Sequence, residues 1–412
     1  MRITKKDMLS MLAIGCIAVI TGGINTSASS GIDINEQNFP DAQIRQIATQ
    51  YDSNKDQILD TSEQKKMTEL IVIETTENTG VQGNVIRTAK GITSFKGVEY
   101  FAELKSISVG QSGKPQSSYK IASDLFQYTK QVKTIRVNYA YADPVDARYK
   151  DSDKQMLAKN TSIVIDDSMQ CESLSLEGVQ VQKMQIVSKK MKKLLIKTCN
   201  LPDEYTINTP NLQTLGLKET YVKKLQYGKM DKLKYLSLGL NVIQNGKEKA
   251  SPVTVLDLQK SKNIAELSVT GCRINKLDLS SVNKTLRLAS VTQSGKYPIK
   301  QIRLGKMAAL KGLSVSAKCA AIDASKCSRL NTLECASYGI FKVKLPKSVQ
   351  YLTLTSLDKK GCKSLKLSNC KKLKALKVIG CMKLKTINLA KCSKLYSLKL
   401  KGLALKRLTL PN

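Results

Sequence analysis

The chain has 412 residues, 42% of them hydrophobic, enough to bury the cores of two or three ordinary domains or of one long repeat array. It contains no His and no Trp, which removes His-based nucleophile activation, His-ligated zinc and the best sugar-stacking rings. Sixty-seven basic residues face 33 acidic ones, a formal charge of +34, and 57 of the cations are Lys, which points to diffuse attraction for polyanions rather than bidentate readout of bases.

Residues 1–30 open with Arg2, Lys5 and Lys6, continue with an apolar run too short to span a bilayer comfortably, and end in small residues around Ala28 and Ser30. This is the pattern of a secretory signal peptide, so an exported chain is expected, with no membrane span after its removal. Residues 31–80 then form a small module. In "NFPDAQIRQIATQYD" a helix is expected to begin at Pro40, with Ile44, Ile47 and Tyr51 on one face. A second short helix is expected in "TSEQKKMTEL", and "IVIETTENTG" reads as extended.

Between the two expected helices lies "DSNKDQILDTSE". Asp52, Asn54, Asp56, Ile58, Asp60 and Glu63 stand at positions 1, 3, 5, 7, 9 and 12 of a calcium-binding loop. Ile58 would contribute its backbone carbonyl and Glu63 both carboxylate oxygens. Position 6 of such a loop is ordinarily Gly and turns left-handed; here it is Gln57, at a cost of roughly 1–2 kcal/mol. The expectation is a weak, structural Ca2+ site that steadies the module; the alternative is a loop that only joins helices.

From residue 81 to residue 412 the chain repeats. Leu365/Leu367, Leu376/Val378, Ile387/Leu389 and Leu398/Leu400 recur every eleven residues, and Cys370, Cys381 and Cys392 keep the same step. The apolar-x-apolar signature extends back through Leu352/Leu354, Leu313/Val315, Leu256/Leu258, Leu215/Leu217 and Leu194/Ile196 to Ile163/Ile165. Each pair turns inward and the residue between them faces solvent. Two steps make a coil of 20–22 residues, the period of leucine-rich repeats, with one main strand and a nearly extended return. The fold class is therefore mostly β, a solenoid of stacked coils with a small helical cap. Residues 138–160 break the period as a loop insertion, and "NVIQNGKEKASP" and "ASVTQSGKYPIK" interrupt it more briefly.

Ten Cys follow residue 30, mostly at the turns of the repeat rather than in a pairing or zinc pattern, so buried free thiols are expected. From residue 351 onward there are sixteen Lys and Arg against one acid, Asp358. Lys366, Lys377 and Lys399 each lie between inward apolar residues, with Lys377 and Lys399 on one side of the solenoid and Lys366 across from them. They are the candidate polyanion contacts, although Lys at an exposed strand end also discourages edge pairing.

"INEQNFPDAQIRQIATQYDSNKDQILDTSEQKK" followed by "KGITSFKGVEYFAELKSISV" resembles the N-terminal segment of secreted leucine-rich-repeat proteins of Gram-positive gut bacteria, and the helical module resembles the EF-hand-like cap of the internalins. The resemblance covers residues 32–109; beyond them only the repeat character matches. It implies a secreted or cell-surface adhesion or binding protein with no enzymatic activity. Its partner would be a protein or an anionic polymer such as wall teichoic acid or a sulfated glycan. A purely structural extracellular scaffold is the alternative.

Overall fold

The computed structural model describes residues 31–75, 80–112, 121–139, 158–244 and 247–411. The proposed signal peptide and most of the expected insertion at 138–160 lie outside them.

The apolar-x-apolar pairs build one sheet of sixteen strands that runs the length of the solenoid. Inward positions stack like on like: Leu194 over Leu215, Leu236 over Leu267, Leu352 over Leu376. Stacked positions Lys193 and Thr214 lie 21 residues apart in sequence, and Ala375 and Ser397 lie 22 apart. No coil buries its own apolar side; its neighbours do, and each inward Leu, Ile or Val contributes on the order of 1.5–3 kcal/mol. The coils pair in parallel from Glu69–Glu74 to Ser397–Lys401, and a strand at Gly80–Gln82 turns antiparallel at the N-terminal edge.

The sheet begins earlier in the chain than the repeat count suggests. Glu69–Glu74 pairs with Ser106–Gln111, so its first strand lies in the segment assigned by sequence to the cap. Likewise, "ASVTQSGKYPIK" is not wholly an interruption. Leu288–Thr292 is a main-sheet strand whose inward residues are Ala289 and Val291, too small to show in a count of Leu. Asn241–Gln244 and Lys247–Ala250 form an antiparallel hairpin.

The return side is less regular. Strands such as Lys276–Asp278, Ala321–Asp323 and Thr386–Asn388 join small separate sheets. Leu365/Leu367 is buried but forms no strand. Leu256/Leu258 becomes a 3-10 turn at Leu258–Lys260, because the Asp257 carboxylate accepts from the Gln259 amide and closes the backbone there. At the corner after each main strand the chain often turns left-handed. Gly occupies that corner at 178, 271, 380 and 402, while Thr198 and Glu219 take it at φ 50° each. The next residue fixes the corner: the Thr220 hydroxyl donates to the Lys218 carbonyl (2.9 Å) and the Cys199 thiol to the Lys197 carbonyl (3.1 Å).

Before the first coil sits the helix Ala42–Tyr51. Pro40 precedes it rather than opening it; Asp41 is the N-cap. One Asp41 oxygen accepts from the Gln43 and Ile44 amides, and the other accepts from the Thr93 amide and hydroxyl, both at 2.8 Å. Ile44 and Ile47 are buried, and Tyr51 meets Phe101 edge-on. The second expected helix does not extend: residues 61–66 are turns, with the Gln64 amide bonded to the Asp60 carbonyl, and the chain enters the first sheet strand at Glu69.

Candidate binding face and loop site

The loop at residues 52–63 is closed by its own side chains. Asp52, at the helix C-terminus, accepts the amides of Asp56 (3.2 Å) and Gln57 (2.9 Å). Glu63, 1% exposed, accepts those of Ser53 (2.6 Å) and Asp60 (3.1 Å). Asp56 accepts from Ile58 N–H, and Asp60 from Ser62 and Glu63 N–H. These amide bonds, led by that of Glu63, hold the Asp60 carboxyl below its ordinary pKa. Gln57 is left-handed at φ 63°, the strained geometry expected of position 6. Ile58–Leu59 pairs antiparallel with Ile32–Asp33, and Leu59 is fully buried. The six proposed ligands are all oxygen donors, the right chemistry for calcium. Their carboxylates are engaged with backbone amides, and no three Asp, Glu, Cys or His side chains are gathered among the described residues.

The second candidate is the outward face of the large sheet. Its central positions are in register from strand to strand: Ser237, Ser268, Ser290 and Ser314 stand in one row. These small side chains leave a trough of about 450 Å³. Tyr235 and Leu288, both exposed, rise on one rim; Glu334 closes the far end. The row was legible in "LSL", "LSV", "ASV" and "LSV", but attention to inward Leu passes over the residue between.

Toward the C-terminus the same row continues through Thr353, Lys377 and Lys399. Lys377 and Lys399 are direct register partners and both are exposed. Lys366 is exposed on the return side, between buried Leu365 and Leu367, and is not brought to them. Among the described residues the ion pairs stop at Lys344–Asp323, so the sixteen cations beyond residue 351 form none. Near Lys377 and Lys399 stand two exposed rings, Tyr351 at the start of the strand that precedes Lys377's and Tyr396 just before the strand of Lys399.

Two buried groups complete the inventory. Glu74, 4% exposed, accepts from the Tyr139 hydroxyl at 2.7 Å. Desolvation pushes its pKa up to about 7 despite that bond. All ten described Cys are free and buried. Desolvation pushes Cys171, Cys199 and Cys272 up to about 12, so these thiols stay protonated and poorly nucleophilic. No helix among the described residues is long and apolar enough to cross a membrane.

The fold is thus a mostly β, leucine-rich-repeat-type solenoid with one short helix near the N-terminus. No family model and no curated protein matches the sequence. Among solved structures, the chain is similar to the functional domain of InlJ from Listeria monocytogenes, which includes a cysteine ladder. The two are 13% identical with a TM-score of 0.44, over 91% of this chain and 72% of that one. It is also similar to an internalin, InlF, of the same organism at 14% identity and a TM-score of 0.38, over 91% and 99% of the two chains. A leucine-rich-repeat protein of Leptospira interrogans follows at 10% identity and a TM-score of 0.27, over 76% and 88%.

Proposed function

We propose that this protein is an exported, non-enzymatic binding scaffold whose basic C-terminal coils hold an anionic polymer at the cell surface. The carrying observation is the in-register pair Lys377 and Lys399, in a stretch of sixteen cations and one acid where no ion pair forms among the described residues. Adjacent coils sit about 4.8 Å apart. Charges that close repel, since screening at physiological salt acts over about 8 Å. A bound polyanion relieves that repulsion and releases its own counterions. The bound polymer would be a wall teichoic acid or a sulfated glycan.

The test is elution from immobilised heparin. The double variant Lys377→Gln/Lys399→Gln is expected to leave the column at clearly lower salt while staying folded, and Lys366→Gln, on the other side, to elute unchanged. If the double variant elutes with the wild type, the Lys serve solubility or edge protection and the chain is a structural scaffold. A protein partner is the second reading, favoured by the trough over Ser237 to Ser314. Replacing Ser290 with Arg would fill it, so loss of a surface-protein partner in that variant, with heparin elution intact, separates the two.

A further inference from the structure

Five consecutive strands of the large sheet, Tyr235–Gly239, Glu266–Thr270, Leu288–Thr292, Gly312–Ser316 and Thr332–Ser337, contain no Lys or Arg. In a chain of formal charge +34 this sector breaks the pattern. The outward face carries Lys193, Lys197 and Lys218 before it and Lys377 and Lys399 after it. The charges of the sector itself are Glu266 and Glu334, and both line the trough of about 450 Å³ over the serine row. Lys234, Arg287 and Lys311, each one residue before a strand, do not line it. Register places Glu266 directly between Tyr235 and Leu288. These two exposed side chains stand two strand spacings apart, about 10 Å. Leu288 leans away from Glu266 over Gly312, where a Cβ would come within 2.8 Å of its Cδ2. At the far end the Ser314 hydroxyl donates to the carboxylate of its register neighbour Glu334 at 3.5 Å. Neither acid forms an ion pair among the described residues.

We propose that this trough docks a polypeptide segment presenting a Lys or Arg beside an apolar side chain. The cation meets Glu266, and the apolar group sits between Tyr235 and Leu288 over the small serines. The inference rests on the protein-partner reading above and adds the chemistry that the partner must carry. Charge complementarity selects it. An anionic polymer would meet two carboxylates here and no cation. A neutral sugar would find one aromatic ring, Tyr235, and no Asn or Gln on the five strands to bond its hydroxyls. A long basic side chain also suits the shape, because its methylene stem packs on apolar surface while its charged end reaches a polar group. The strand of Glu334 lies three spacings from that of Glu266, about 14 Å. It offers a second acidic anchor to a segment that crosses the strands.

The experiment selects a random dodecapeptide library, displayed on phage, against the immobilised full chain at physiological salt. Clones that also bind Ser290→Tyr, which fills the trough without adding charge, are discarded. Ser290 faces outward, so this variant folds, and circular dichroism melts confirm it. The surviving peptides are expected to carry Lys or Arg next to a large aliphatic or aromatic residue. Their synthetic consensus is then titrated. Glu266→Gln should weaken it roughly threefold to tenfold, the scale of one charge-assisted hydrogen bond near the surface, and Leu288→Ala by a similar factor. Elution of Ser290→Tyr from heparin should match the wild type, since the basic coils are untouched. If the surviving peptides carry no cation, or Glu266→Gln does not weaken them, the proposed chemistry is wrong while the protein-partner reading stands. If no peptide depends on the trough, both fall, whatever the heparin result. If Ser290→Tyr instead elutes from heparin at clearly lower salt, the trough holds the polyanion and the inference is overturned.

Discussion

Two residues in this chain sit where their chemistry is least comfortable, and both have measurable consequences. Gln57 is held at φ 63° in the loop at residues 52–63. Gln57→Gly is expected to stabilise the cap by about 1 kcal/mol, because Gly alone takes that conformation without strain. We propose that the same loop binds calcium weakly, in the range of about 10⁻⁴–10⁻³ M usual for extracellular modules. Calorimetry should then show one site, tightened by Gln57→Gly and weakened by Asn54→Ala; no heat at several millimolar calcium would dispose of the proposal. Glu74 is the second case. Its carboxyl is raised from an ordinary 4.5 to about 7 by burial. Unfolding frees it to ionise at the ordinary value, so the unfolded chain holds fewer protons between these limits. Stability therefore falls as pH rises from about 4.5 to 7 and levels off above, by about 3 kcal/mol in all. Glu74→Gln should flatten that slope in denaturant titrations at pH 5 and 8. An unchanged slope would place the carboxylate in water.

At the scale of elements, the Asp41 side chain is one of the ties between the cap and the first coil. Asp41 accepts two amides of its own helix and two donors from Thr93. Phe39 meets Tyr100 edge-on nearby. Asp41→Ala removes an N-cap and leaves the buried Ile44 amide and the part-buried donors of Gln43 and Thr93 without their acceptor, a loss of about 1–2 kcal/mol. Coils further along contact only their neighbours, so the damage should stay local. Hydrogen exchange is expected to rise over residues 31–60 and to stay near wild type beyond residue 160. A uniform rise along the solenoid would mean that cap and coils unfold together. The elements also show where sequence reading succeeds and where it slips. Main strands with Leu at the inward pair were legible from the period alone. The strand at Leu288–Thr292 was missed because its inward pair is Ala and Val. The helix expected after the loop is cut short because the chain enters the sheet at Glu69, pairing with Ser106 far along the sequence, and no local propensity contains that pairing.

Over the whole molecule, one continuous core sets what chemistry is open to the chain. The ten described thiols are all inside it. Native alkylation should label few of them and alkylation in denaturant most; intact mass showing four or five disulfides would contradict the structure. The outer surface is where function is sought, and there sequence and structure divide cleanly. The sequence by itself determined the coil, its period, the inward residues and the burial of the Cys, because burying apolar side chains constrains every second position of a strand. Tertiary structure alone decided which outward residues meet. It set Lys377 beside Lys399 and left Lys366 across the solenoid. It brought Tyr139 to Glu74. The physical reason is register: the inward pattern says that coils stack, but the length of each turn decides which solvent-facing side chain lands next to which.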